Sequence, residues 1–188
     1  MTRTLVNFVA FQVGWFACVI SAARGMAWAG VLVVGLVIFL HLLLAARPGQ
    51  ESRLIVLALI MGMVFDSLLV QSAWLQYAGG AALAGMAPYW ILAMWALFAT
   101  TLNVSMGWLK NRSALAVLMG AVFGPLSYLA GERLGAIQFI DYNMAILALT
   151  LIWAMAMPLL MFAATRFDGV RKQHTVLPLQ GVSRGLMR

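Results

Sequence analysis

Asp66 is the residue with the clearest chemical potential in this chain of 188 residues. It lies in the apolar run GMVFDS (62–67), near the middle of a long hydrophobic segment. A charge at that depth in a membrane costs on the order of 3 kcal/mol, so we expect Asp66 to face other helices. Two interpretations remain open: a proton-coupling or ligand-binding carboxylate, and a buried acid that hydrogen-bonds a neighbouring helix. Gly62, one turn earlier, favours a close helix approach on the same face.

A second set of polar residues lies in the apolar segment 87–108 and consists of Thr100, Thr101, Asn103 and Ser105. Thr100 and Asn103 are three residues apart, a spacing that predicts one shared helix face. Such a stripe lines a cavity or joins helices by hydrogen bonds. Because an amide can donate to a carboxylate or accept from an acid, Asn103 is the predicted partner of Asp66.

Further candidates for ligand binding are Gln12, Trp15 and Trp95, which lie deep in their apolar segments. Most of the other tryptophans lie near segment ends, where an aromatic belt belongs. The two deep tryptophans either line an apolar pocket or pack against lipid and the core. Glu132 and Arg133 are predicted interfacial charges with separate partners, because sequence neighbours do not face each other on a helix.

Three other residues have local structural implications. Gly120 and Gly124 form a small-x-x-x-small pair, which predicts tight helix packing. Pro125 removes a backbone donor, so it is expected to kink its helix. His41 is either a packing residue or part of a proton relay.

Several classes of chemistry are excluded by residues the sequence lacks. It has no H-E-x-x-H, P-loop, G-x-S-x-G or dinucleotide fingerprint. With two histidines and one cysteine, Cys18, the chain offers no evident metal site, and we expect no cofactor. Although the net charge is +7, there is no basic stripe with interleaved aromatics, so nucleic-acid binding is not expected.

These residues must be positioned by membrane helices. The chain is 64% hydrophobic and only 9% charged, whereas soluble domains are nearer about half and a quarter. Segments of about 20 apolar residues are long enough to cross the bilayer as helices. The predicted fold is an all-α integral membrane protein, a compact bundle of six transmembrane helices at 4–23, 26–46, 53–75, 87–108, 113–131 and 143–164.

Charge distribution predicts the orientation of this bundle. If the N-terminus is cytoplasmic, ten Lys and Arg residues lie inside, and Arg24 and Arg133 lie outside. Both termini are therefore predicted to be cytoplasmic. Residues 1–164 form the transmembrane domain and 165–188 a basic tail that we expect to be disordered. Two inverted halves of three helices are a further possibility.

The motifs QVGWF (12–16), FATTLNVSMGWL (98–109) and GPLSYLAG (124–131) resemble an uncharacterised family of small bacterial inner-membrane proteins. The resemblance covers nearly the whole chain. It implies a multi-pass protein of the inner (plasma) membrane, often encoded beside genes resembling cyclopropane-fatty-acid synthases. By association only, this implies a link to membrane-lipid modification or envelope stress. The resemblance provides no catalytic residues.

Three functions are consistent with these observations. The first is binding or transport of a small or lipid-like ligand in a cavity around Asp66 and Asn103. The second is a non-catalytic partner or scaffold of a membrane-lipid-modifying system, in contact with another membrane protein. The third is a membrane-embedded enzyme that acts on lipids, with Asp66 or Glu132 as acid or base. The lack of a paired catalytic constellation ranks the enzyme last.

Overall fold

The computed structural model describes residues 2–79 and 83–170. Six α-helices account for most of this part: α1 (Thr2–Ala23), α2 (Ala27–Leu43), α3 (Pro48–Gln71), α4 (Tyr89–Leu102), α5 (Ser113–Arg133) and α6 (Tyr142–Arg166). Four of them, α1, α3, α5 and α6, are long and apolar enough to cross a membrane. The helices α2 and α4 are also apolar, but they have only 17 and 14 residues. The predicted all-helical membrane class is confirmed at this level.

Helices that follow each other in sequence pack as the hairpins α1–α2, α3–α4 and α5–α6. The helix α4 also packs against α1 and α2, and α3 packs against α6. Large apolar side chains cover the outward faces, as in Leu32 and Phe162, which are 66% and 60% exposed. Contiguous apolar surface of this extent is unfavourable in water and suits contact with lipid.

The fourth helix is shorter than the predicted segment 87–108, because α4 ends at Leu102 and a 3-10 turn follows at Gly107–Leu109. The side chain of Asn7 on α1 accounts for this end. It donates to the carbonyl oxygen of Thr100 and accepts from the backbone N–H of Ser105. A side chain that satisfies free backbone groups terminates a helix. Asn103 is therefore the residue that caps α4, directly after its last turn.

A short ribbon joins two of the connecting segments at one end of the bundle. Its strands, β1 (Leu75–Tyr77) and β2 (Ile137–Phe139), pair antiparallel. Each strand follows a helix after a residue with positive φ, Ala73 at 57° and Gly135 at 83°. The sequence pattern does not predict this ribbon, because strands of three residues are too short to show an alternation of apolar and polar side chains.

The second and third hairpins are equivalent in detail. Gly62 of α3 faces the ring of Trp95 on α4, and Gly124 of α5 faces the ring of Trp153 on α6. Each feature of the second hairpin recurs in the third at one constant offset. Gly124 lies as many residues after Gly62 as Gly135 lies after Ala73 and as β2 lies after β1. Since β1 and β2 pair with each other, α3 and α5 end on the same side of the bundle. The repeated unit is thus a hairpin, and these two copies are not inverted.

Basic residues at or near the helix ends lie at the opposite end of the bundle. Arg3 donates to the Leu44 carbonyl oxygen at 3.3 Å, and the Lys110 ammonium contacts the Asp168 carboxylate at 2.8 Å. The tail predicted from residue 165 begins differently, because α6 continues to Arg166 and the next residues pack onto the helical body. Residues 171–188 lie outside the described residues.

Candidate functional site

Asp66 is fully buried and accepts three side-chain hydrogen bonds. The indole N–H of Trp95 donates to Oδ2 at 2.6 Å, and the hydroxyl of Tyr128 donates to Oδ1 at 2.6 Å. The hydroxyl of Tyr77 is a further donor to Oδ1. A buried acid is tolerated only when its polar atoms are paired in this way. The acid lies close to the end of α3 instead of at the centre of its helix.

The approach of Trp95 to Asp66 depends on Gly62. A Cβ atom on Gly62 would overlap the indole ring of Trp95, so only glycine permits this contact. The predicted close helix approach at Gly62 is confirmed. The other two donors come from different elements, Tyr77 from β1 and Tyr128 from α5. Tyr128 also occupies the position in α5 that Asp66 occupies in α3, so the two equivalent hairpins meet in this hydrogen bond.

A half-open cavity of about 410 Å³, here called the aromatic groove, lies beside this cluster between α1, α4, α5 and α6. Its volume is within the range of about 300–1,000 Å³ that small-molecule sites occupy. Its larger lining residues include Phe11, Trp15, Trp95, Phe123, Tyr128 and Trp153. Among the described residues, no Asp, Glu, Lys, Arg or His lines it.

Three aromatic residues connect the groove to Asp66. Trp95 and Tyr128 line the groove and hold the acid behind its wall. Trp153 stacks on Trp95 with ring centroids 4.8 Å apart. The Nε1 atom of Trp153 is buried and lies near the Tyr128 hydroxyl.

Glycines in α5 shape the floor of the groove. A Cβ atom on Gly120 would overlap the backbone oxygen of Trp153, and one on Gly124 would overlap its side chain. The predicted tight packing at this pair is confirmed. The helix α5 is continuous through Pro125.

The ligand-binding candidates divide into two groups. Trp15 and Trp95 line the groove. Thr100 and Gln12 do not, and Thr100 instead donates to the Leu97 carbonyl oxygen of its own helix at 2.7 Å. Its neighbour Thr101 does line the groove.

Asn103 is not a partner of Asp66, so that prediction is wrong. Its Nδ2 atom donates to Glu51 Oε1 at 2.7 Å and to the Phe167 carbonyl oxygen at 2.9 Å. The physical reason is depth in the bundle: Trp95 of α4 is level with Asp66, and Asn103 lies eight residues further along the chain, at the end opposite the ribbon.

Glu51 forms a second buried acidic cluster that the sequence analysis missed. It is 1% exposed, and its Oε2 lies 2.8 Å from Nε2 of His41. Its Oε1 also accepts from the backbone N–H of Gly169 at 2.7 Å. An acid in the first turn of a helix normally indicates only a favourable interaction with the helix dipole, so Glu51 was not singled out. The one signal that could have identified it is its position across a short turn from His41, the residue with which it pairs.

Glu132 and Arg133, the two predicted interfacial charges, lie beside the ribbon. Glu132 is half-buried, and its Oε1 accepts from the Phe139 backbone N–H at a long 3.5 Å. Arg133 is exposed. Within residues 2–79 and 83–170, no group of three potential metal ligands occurs.

The fold and groove define a helical membrane-protein class with an apolar cavity. The chain matches, over residues 4–159, the family described as "Protein of unknown function (DUF2878)", and it belongs to that family. No curated protein and no solved structure matches it.

Proposed function

We propose that this protein binds a lipid-like small molecule in the aromatic groove, and that Asp66 positions the residues of its wall. The observation that carries the proposal is the groove itself, whose wall includes two aromatic side chains anchored to one buried carboxylate. Side chains locked by hydrogen bonds behind them make a preorganised site. Asn103 has no part in this site.

The proposed setting is a bilayer, in particular the bacterial inner membrane, crossed six times with both termini in the cytoplasm. Support comes from the basic residues Arg3, Arg47 and Lys110, which all make contacts at one end of the bundle. Arg24 and Arg133 belong to the other end, where Ala23 lies 3.8 Å from the Cβ position of Gly135. This separation agrees with the positive-inside rule.

A cysteine-labelling experiment tests this orientation. In a Cys18→Ala background, Gly49→Cys should be protected from a membrane-impermeant maleimide in intact cells, and Leu83→Cys should be labelled. Gly49 has open space around it and Leu83 is 65% exposed, so both thiols would be reachable from their own side. Labelling of Gly49→Cys without labelling of Leu83→Cys would show that the orientation is the reverse of the one proposed. Labelling of both would show that the two positions lie on the same side, which refutes the proposed topology.

Lateral access to the groove supports a lipid-like ligand. Its two flanking helices, α1 and α5, do not pack closely against each other along the parts of the chain that the structure describes. An amphiphile could therefore enter from the bilayer between these helices. Transport would require a second, oppositely open state of the same site, so binding is the more economical proposal.

Photolabelling tests the binding. The probe is 1-hexadecanol with a mid-chain diazirine and a terminal alkyne, added to protein in phosphatidylcholine nanodiscs. We expect labelled peptides from α1, α5 and α6 around the groove. Met119→Trp should fill the groove and reduce labelling severalfold, because Met119 lines it. Leu118→Trp is the matched control, because Leu118 is 59% exposed on the outer surface.

The result would refute the proposal if labelling were equal in the two variants or were spread over the lipid-facing surfaces. Saturable labelling confined to the groove would support it.

A further inference from the structure

The dimensions of the aromatic groove fit a single alkyl chain. On α1 the groove extends from Phe8 to Val19, and on α5 from Met119 to Gly131. At the helical rise of 1.5 Å per residue these stretches are about 17 and 18 Å long, a little over half of the ~30 Å hydrocarbon core. A methylene group is close in size to a water molecule, which takes up about 30 Å³, so a volume of about 410 Å³ corresponds to roughly fourteen methylene groups. The groove thus matches one lipid chain of one leaflet and is too small for two.

The two ends of the groove differ in polarity. The end beside the ribbon is lined by Val19, Gly131 and Ile137. The opposite end is lined by Ser105 and by Trp108, which is 51% exposed. In the part of the chain that the structure describes, the Ser105 hydroxyl and the Trp108 indole N–H make no hydrogen bond. An amphiphile in the groove would therefore place its headgroup at the Ser105 end and its chain towards the ribbon.

A positive charge lies next to the polar end of the groove. The guanidinium carbon of Arg112 is 6.0 Å from the ring centroid of Trp108. Arg112 is exposed and forms no ion pair with the described residues, whereas the nearby Lys110 is paired with Asp168. A planar guanidinium donates two parallel hydrogen bonds to a carboxylate. A carboxylate at this exposed end would keep part of its hydration while gaining a counter-charge.

From the dimensions, the polarity and the charge we infer that the ligand is a long-chain carboxylic acid with one alkyl chain of roughly fourteen to sixteen carbons. Its carboxylate pairs with Arg112 at the Ser105 end, and its chain extends through the groove towards the ribbon. This inference rests on the proposed function and adds the chemical class of the ligand and its direction in the groove.

The competing arrangement is an uncharged headgroup deeper in the groove, beside Trp15. This residue also lines the groove, and its indole N–H makes no hydrogen bond with the described residues. It lies two helical turns along α1 from Phe8, about 10 Å further from the Ser105 end. A hydroxyl at that depth would exchange its hydration for a single neutral donor, and Arg112 would have no part in binding. The acid uses both the charge and the exposed end, so we favour it.

A comparison of headgroups tests the role of Arg112. Three photoactivatable probes carry the same sixteen-carbon chain and diazirine and end in a carboxylate, a hydroxyl or a trimethylammonium group. Labelling of groove peptides is measured against probe concentration in phosphatidylcholine nanodiscs. Arg112→Gln should raise the half-saturating concentration of the carboxylate probe about fivefold, as expected for one exposed charge pair, and leave that of the other probes unchanged. Arg53→Gln is the matched control, because Arg53 is exposed at the same end of the bundle and does not line the groove.

The position of the diazirine tests the direction of the chain. A carboxylate probe with the diazirine next to its headgroup should label peptides that contain Ser105 and Trp108. A probe with the diazirine near its methyl end should label peptides that contain Gly131 and Ile137. The reverse pattern would overturn the assigned direction.

The outcomes separate this inference from the proposed function. If no probe labels the groove saturably, the proposed function is wrong. If Arg112→Gln binds the carboxylate probe as the original protein does, binding stands but the acid class is overturned. Loss of alcohol labelling in Trp15→Phe would then identify the deeper, neutral arrangement. Displacement of the carboxylate probe by an equal concentration of phosphatidylglycerol would identify a two-chain anionic lipid and overturn the single-chain class.

Discussion

Two buried carboxylates, Asp66 and Glu51, occupy opposite ends of this helical bundle and differ in their partners. Asp66 accepts from three side chains, two of which line the aromatic groove. Glu51 contacts His41, Asn103 and the backbone N–H of Gly169, none of which lines the groove. Burial alone therefore does not distinguish a binding site from a structural cluster, whereas the surfaces that the partners reach do.

The largest expected effect is a loss of stability in Glu51→Gln. Glutamine keeps one acceptor oxygen and replaces the other by an NH2 group, so either His41 or the donors of Asn103 and Gly169 lose their contact with a carboxylate oxygen. We expect the free energy of unfolding to fall by about 3 kcal/mol. Denaturation in detergent measures this change. The matched control is Glu132→Gln, since Glu132 makes only a long contact. Equal losses in both variants would contradict the structural role of Glu51.

Asp66→Asn should show a different balance between stability and binding. We expect a smaller loss of about 2 kcal/mol, because an amide can still accept part of the three hydrogen bonds. Labelling of the groove by the hexadecanol probe should weaken severalfold, because Trp95 and Tyr128 lose their anchor. The folded fraction of Glu51→Gln should keep its affinity. If Asp66→Asn also keeps its affinity, both acids are structural and the contrast between them disappears.

Gly62→Ala tests how closely α3 must approach α4 beside Asp66. The added methyl group would overlap the Trp95 ring, and we expect a destabilisation of about 2 kcal/mol. Gly35→Ala is the control, because a Cβ atom on Gly35 has no neighbour within 4 Å. Because alanine is favoured over glycine in a helix interior, Gly35→Ala should be neutral or stabilise by up to about 1 kcal/mol. Thermal unfolding of the two variants compares them, and similar curves would show that the close approach is unimportant.

The smallest expected effect concerns the ion pair near Glu51. Lys110 and Asp168 are mostly buried, and Lys110→Gln should reduce the free energy of unfolding by about 1 kcal/mol. The exposed Arg53 provides the control in Arg53→Gln. Chemical denaturation at low and high salt checks the prediction. A loss in Arg53→Gln as large as that in Lys110→Gln would indicate a general charge effect.

Local packing signals were readable from the sequence because they depend on short-range geometry. Gly120 and Gly124 lie one turn apart, so their small size predicts a close contact wherever the partner helix lies. Asp66 was recognisable for a similar reason, since an acid in an apolar helix requires polar neighbours. The identity of those neighbours was not readable, because Trp95 and Tyr128 come from distant parts of the chain and Tyr77 reaches Asp66 from the ribbon.

The fourth helix illustrates the limit of periodicity. The predicted segment extends to residue 108, although Asn103, Ser105 and Gly107 after Leu102 are residue types that favour helix ends and turns. The end depends on Asn7, which is distant in sequence and satisfies backbone groups around the terminus. The packing of α4 against α3 places Trp95 beside Asp66, and therefore places Asn103, eight residues later, beside Glu51 near the start of α3.

The lipid environment that the chain requires follows from its composition and the length of its apolar segments, because these depend on no particular packing. The same patterns predict that the chain is built from helices and that its third apolar segment contains a buried acid. Which groups pair with each acid, and where a groove forms, follows from the packing of the helices. The reason is that the six helices admit many arrangements with similar apolar burial, and the arrangement adopted is selected by specific long-range contacts.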